Sequence, residues 1–122
     1  MIKLTYVLRR RPTMSREEFQ RYWNESHGPL VASKAETLHI RRYVQVNTHE
    51  TPLDGPLSAG RGHDEPFDGV AELWFDSVED LAEALGSEEG QAAAAELLED
   101  EGRFIDLPRS PIWLGEEHVV VG

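Results

Sequence analysis

The chain contains no cysteine. That excludes disulfides, thiolate nucleophiles, iron–sulfur clusters and cysteine zinc sites, and it fits a cytoplasmic protein. No apolar run approaches the ~18 residues of a membrane span. The opening MIKLTYVLRRRP carries charges where a signal peptide carries an apolar stretch. Basic residues are scarce: 12 Lys+Arg against 23 Asp+Glu give a net charge of -11. From His63 to Glu101 there is no Lys or Arg at all, while 14 acidic residues fall there. Neutralising phosphates needs clustered cations, so a nucleic-acid partner is not expected. The five histidines never form HxH, HxxxH or HExxH, which leaves a metal site without local support. Phosphate-loop, dinucleotide-binding and GxSxG nucleophile signatures are missing as well.

What is present suffices for a core. In 122 residues 39% are apolar, with three Trp, three Tyr and four Phe. That length suits one domain, here residues 1–122. The acidic second half reads as a solvated helix face.

Residues 2–9 alternate as a strand, with Ile2, Leu4, Tyr6 and Leu8 on one face. Ser15 and Glu18 form a capping box opening a helix that carries Phe19, Tyr22 and Trp23. The Gly28-Pro29 pair predicts a kink or break, followed by a second helical stretch to about Leu38. Residues 39–47 read as a strand, and residues 48–67 as a long aperiodic loop, either a lid or simply mobile. Residues 69–75 form a third strand. Two acidic, Ala-rich helical stretches open at Asp76 or Ser77 and at Ser87, and a last strand covers 111–121.

The order β-α-β-β-α-β predicts an α+β, ferredoxin-like fold: a four-stranded antiparallel sheet with helices on one face. The opposite face is then expected to hold Tyr43, Glu72, Val70, Trp74 and Trp113. Exposed aromatics forgo burial energy, so a second copy is expected to cover them, making a dimeric α+β barrel. The polar members of that face suggest a cavity there; a wet interface without a ligand is the alternative.

Phe19, Trp23 and His27 are spaced i, i+4, i+8 and share one helix face. By spacing alone His27 is either a structural histidine or a proton-transfer group. The Arg9-Arg10-Arg11 run marks an exposed strand end or an anion site.

The run EEFQRYWNESHGPL, residues 17–30, and the strand DGVAELWFDS, residues 68–77, resemble the two signatures of the EthD family. The resemblance extends over nearly the whole chain through the element order. It implies a small dimeric α+β barrel without metal or organic cofactor. It also implies activities such as lactone methyl-isomerisation, dehydration of polyketide-derived intermediates, or a role beside a P450 in ether degradation. Their common chemistry is proton movement on an activated carbonyl or phenol in a closed pocket. By position, the resemblance makes His27 the general acid or base, Tyr43 a group that holds or protonates a substrate oxygen, and Trp74 pocket wall. His63 becomes a third catalytic candidate, through a second histidine used by the family's lactone isomerase. That isomerase also uses a cysteine, which this chain lacks. Trp23, Glu72 and Trp113 complete the expected substrate-binding set, Glu72 being a second base or a salt-bridge partner of Arg41 or Arg9. The expected function is cofactor-free acid–base catalysis, as isomerisation, dehydration or oxidation, on a small aromatic, lactone or polyketide-like compound. A non-catalytic ligand-binding or accessory barrel and a haem-handling barrel are the alternatives.

Overall fold

The computed structural model describes all 122 residues. Four strands, β1 (Ile2–Leu8), β2 (Arg42–Asn47), β3 (Gly69–Phe75) and β4 (Ile112–Glu116), form one antiparallel sheet in the order β2-β3-β1-β4. The helices are α1 (Arg16–Tyr22), α2 (Gly28–Ser33), α3 (Asp54–Ser58), α4 (Val78–Gly86) and α5 (Glu88–Glu101). This is the ferredoxin-like arrangement that the element order predicts, with the main helices packed on one face.

Helix starts follow their caps. Ser15 Oγ accepts from the Glu18 N–H, and a Glu18 carboxylate oxygen accepts from the Ser15 N–H. Ser77 and Ser87 accept from the backbone N–H groups of Asp80 and Gly90, opening α4 and α5. Where a kink or break is expected at Gly28-Pro29, the helix continues through a widened turn. Residues Trp23–His27 are π-helical and run straight into α2. Pro29 has no N–H to donate to the carbonyl four residues back, and widening the turn before it accommodates that loss. The second helical stretch is shorter than expected, because α2 ends at Ser33 and turns fill the span to β2. His39 sits in one of those turns with φ 59°, not in a strand.

The core forms where α1 and α5 meet the sheet. Leu8, Phe19, Trp23, Ala71, Phe104 and Ile105 are buried together. Full burial of side chains such as Phe19 or Phe104 contributes about 1.5–3 kcal/mol each. The Phe104 ring touches Phe19, Tyr22 and His27 at centroid distances of 5.5, 5.1 and 5.0 Å.

Register decides which face each strand residue takes. Tyr43 pairs with Leu73 and Gln45 with Ala71, so both lie on the helix-covered face. This corrects the expectation that Tyr43 sits with Trp74. The valines of β2 go to the outer face instead: Val44 lies opposite Glu72, and Val46 opposite Val70. Thr5 and Trp113 extend that outer row. The outer face is partly apolar and open, Val46 and Trp113 being about half exposed.

Residues 48–67 enclose a short helix, α3, and are anchored at both ends. The Thr48 hydroxyl donates to the Phe67 carbonyl, and Gln20 Nε2 donates to the Thr48 carbonyl. Asp68, almost fully buried, accepts from the Arg10 backbone, the Arg10 guanidinium and Arg16 Nε. Burial alone would raise its pKa, but these hydrogen bonds outweigh that and hold the carboxyl below its usual range. Arg9 stacks on Phe67 and donates to the carbonyls of Glu65 and Pro66. Arg11 donates to the Gly102 carbonyl. Arg9 and Arg10 therefore pin the chain around the loop's end, while Arg11 ties the end of β1 to the turn after α5. No helix is long and apolar enough to cross a membrane.

Candidate active site

A cavity of about 190 Å³ lies between the helices and the inner face of the sheet. It therefore lies on the opposite side of the sheet from the expected location. Leu4, Leu73, Phe75, Val31, Leu81 and Leu97 supply much of its apolar wall. Its polar groups are few: His27, Tyr43, Tyr6 and Glu101. No Lys or Arg side chain reaches it. An apolar cleft with a handful of converging polar groups is the usual form of a small-molecule site.

The Phe19–Trp23–His27 stripe delivers His27 to this cavity, and the π turn sets its final orientation. His27 is 5% exposed, and its Nδ1 lies 2.7 Å from Asp100 Oδ2 in the last turn of α5. Asp100 also accepts from the Tyr22 hydroxyl at 2.6 Å and from Arg103 Nη1 at 2.9 Å. Burial would raise the Asp100 pKa, but donors from Tyr22, His27 and Arg103 together bring it below the ordinary carboxylate range. Asp100 is thus an anion, and it fixes the tautomer in which His27 Nδ1 carries the proton. Nε2 has no protein partner and is not sealed in, since Asp80 Oδ2 is the only buried side-chain polar atom lacking one. Its lone pair is unbonded, on a residue that lines the cavity. Burial lowers the His27 pKa by more than Asp100 raises it, keeping the ring neutral and basic at Nε2 near pH 7.

Tyr43 is set by Gln45. Gln45 Nε2 donates to the Tyr43 oxygen at 2.8 Å and to the Trp23 carbonyl at 3.0 Å, while Asn24 donates to Gln45 Oε1. The phenol oxygen therefore accepts, and its own O–H is free to donate. Burial raises the Tyr43 pKa against the opposing pull of Gln45, so the phenol stays protonated. Gly28 makes room for this bridge, since a Cβ there would lie 3.1 Å from Gln45 Nε2. Gly69 does the same for Trp23, whose ring would overlap any Cβ at that position.

At the end of α5, the residue after Asp100 faces the sheet. Glu101 accepts from the Tyr6 hydroxyl at 2.9 Å. Burial raises the Glu101 pKa; the Tyr6 hydrogen bond opposes this and the Asp100 charge reinforces it. Tyr6 is raised too, by burial first and then by Glu101.

The structure thus brings together three of the expected residues, His27, Tyr43 and Trp23, and keeps four apart from them. Glu72 and Trp74 lie on the outer sheet face, which also carries Trp113. Glu72 pairs with Lys3 rather than with Arg41 or Arg9. Trp74 receives Lys3 and Arg42 against its ring and donates to Glu117. His63 is exposed and bonds only the neighbouring Asp64 carbonyl. No residue of the 48–67 loop lines the cavity. Sequence reading missed Asp100, Glu101 and Tyr6. No group of three or more His, Cys, Asp and Glu side chains is placed to hold a metal ion.

The fold and this one-sided cavity define a small ferredoxin-like α+β protein with a ligand-sized site beneath its helices. The sequence matches the EthD domain over residues 11–108, and the chain belongs to the EthD family. An EthD family protein from Bacillus halodurans has the same fold, with a TM-score of 0.64 and 20% identity, covering 97% of this chain and 99% of that one. A dimeric Bacteroides fragilis protein of unknown function and ferredoxin-like fold gives 0.59 at 15% identity, covering 95% of each chain. SnoaB from Streptomyces nogalater, a cofactor-independent oxygenase, gives 0.51 at 14% identity, covering 98% of this chain and 96% of that one. No curated protein sequence matches the chain significantly.

Proposed function

We propose that this protein is an enzyme that moves protons on a small aromatic, lactone or polyketide-like compound, using its own side chains as acid and base. The observation that carries this reading is the His27–Asp100 pair at the wall of an apolar cavity, with Nε2 unbonded. His27 Nε2 removes a proton from carbon beside a carbonyl. The electron pair moves onto the carbonyl oxygen, where the Tyr43 O–H donates to it, and return of the proton at another position completes an isomerisation. Loss of a β-hydroxyl from the same enolate, protonated as it leaves, gives dehydration. Asp100 stabilises the imidazolium that forms in between, in the manner of an orienting carboxylate.

Size supports a compact substrate. A cavity near 150 Å³ admits benzene, and this one, at about 190 Å³, suits one ring with substituents or two small fused rings. It is too small for a porphyrin, which argues against the haem-handling reading. The partly apolar outer sheet face supports a homodimer built across it, as does the dimeric Bacteroides neighbour.

The test is deuterium exchange at the acidic methylene of 2-tetralone in D2O, followed by NMR. Wild type is expected to accelerate exchange, and His27→Ala and His27→Gln to lose about 10²–10⁴ of that acceleration. Gln preserves a donor to Asp100, so it separates lost chemistry from lost folding. Equal exchange by wild type and both folded variants would overturn the reading.

A further inference from the structure

Glu101 and Tyr6 are not needed for the proton transfer described above, yet their placement is costly. Two adjacent carboxylates, Asp100 and Glu101, end α5, where the helix dipole disfavours negative charge. The last turn holds no basic residue to offset them. Asp100 is explained by His27, Tyr22 and Arg103. Glu101 is answered by the Tyr6 hydroxyl alone, at 2.9 Å, and has no cation partner. Tyr6 donates to Oε1, and Oε2 remains an unbonded acceptor at a cavity whose only other polar groups are His27 and Tyr43.

We propose that the Glu101–Tyr6 pair makes the cavity selective for uncharged, hydroxyl-bearing ligands, the ligand O–H donating to Glu101 Oε2 while anionic isosteres are refused. This deepens, and rests on, the reading of the cavity as the substrate site. The argument is one of available partners. A ligand carboxylate entering this cavity would meet the Glu101 carboxyl group and no guanidinium or ammonium, with the Tyr43 O–H as the one neutral donor to set against its lost hydration. A neutral phenol or alcohol fills the same volume, and its hydroxyl finds an acceptor already fixed in position by Tyr6. Rejection then comes from an unfavourable pairing, as specificity often does. The substrate class narrows accordingly, from small cyclic compounds in general to those presenting a neutral hydroxyl rather than a free acid or a phosphate.

The experiment compares equilibrium binding of 2-naphthol and 2-naphthoate at neutral pH, by calorimetry or naphthol fluorescence, to wild type, Glu101→Gln and Tyr6→Phe. Wild type is expected to prefer 2-naphthol by at least about tenfold, the scale set by one charge-assisted hydrogen bond and one unpaired buried charge. Glu101→Gln, of equal shape but without charge, should shrink the preference to about threefold or less. Tyr6→Phe, which leaves the Glu101 carboxyl group in place but no longer positions it, should bind 2-naphthol more weakly and still prefer it to 2-naphthoate. Equal affinities in wild type, tighter binding of 2-naphthoate, no binding of either compound, or an unchanged preference in Glu101→Gln would each overturn the proposal. Because the readout is binding, selective uptake of 2-naphthol without tetralone exchange would defeat the enzymatic reading and leave this one standing.

Discussion

His27 Nδ1 sits 2.7 Å from Asp100 Oδ2, joining the widened end of the first helix to the last turn of α5 across 73 residues of sequence. Neither residue suffices without the other. Asp100 alone would be a buried anion at a helix C-terminus, and His27 alone a buried imidazole free to choose either tautomer. Together they leave one unbonded basic nitrogen on a residue that lines an apolar cavity.

Asp100→Asn tests that coupling. The carboxylate accepts from three side chains, whereas an amide offers one oxygen and one NH2, so at least one of Tyr22, His27 and Arg103 must face another donor. The variant is expected to lose about 1–3 kcal/mol of stability in denaturant titration. Tetralone exchange should also fall by more than about tenfold even where the protein is fully folded.

The depressed His27 pKa fixes a pH dependence. The exchange rate should climb with pH through a value below the ordinary 6.5 and level off above it, because only the neutral ring accepts a proton. Stability carries the same sign. The native imidazole holds its proton more weakly than the unfolded one, so the unfolded chain binds more protons and stability rises with pH. The His27 contribution is complete above 6.5 and is lost as pH falls through the lower folded value. Denaturant midpoints between about pH 7.5 and 5.5 should show this decline, and His27→Gln should flatten it.

Gly69 gives a steric test of the cavity wall. A side chain there collides with the Trp23 ring, which must shift toward the cavity or strain the backbone. Gly69→Ala is expected to cost about 1–3 kcal/mol, the usual penalty of overpacking, and to weaken 2-naphthol binding. Thermal denaturation and the naphthol titration check the two effects separately.

The outer sheet face makes its own prediction. Val70 lies in the outer-face row of β3, between Val46 of β2 and Val7 of β1. Light scattering of wild type should give twice the 13.8 kDa of one chain, and Val70→Arg should give a monomer. A monomeric wild type would remove the dimeric-barrel proposal while leaving the cavity of the single chain intact.

Much of this architecture was legible in the residues. The strand alternation, the serine caps and the Phe19–Trp23–His27 spacing each obey a local rule, and the structure follows them. The face taken by Tyr43 is not legible from local alternation, since both faces of β2 mix apolar and polar residues. β2 gives its valines to the outer face and its tyrosine and glutamine to the site. Asp100 and Glu101 were hidden in an acidic stretch whose neighbours, Glu96 and Glu99, are exposed. A helical count finds them: the inward stripe Gly90, Ala93, Leu97 continues at the next turn onto these two acids. Tyr6 was visible in the same way, as the one polar-tipped residue among Ile2, Leu4 and Leu8. The partnership between these residues was not legible, since it joins segments that only the fold brings together.

A crystal structure of the protein with 2-tetralone bound tests the central claim most directly. The account predicts the ligand inside the helix-side cavity, its carbonyl oxygen within about 3 Å of the Tyr43 hydroxyl and its acidic methylene carbon about 3–3.5 Å from His27 Nε2. A ligand seated elsewhere, or an imidazole whose Nε2 turns away from that carbon, would contradict it.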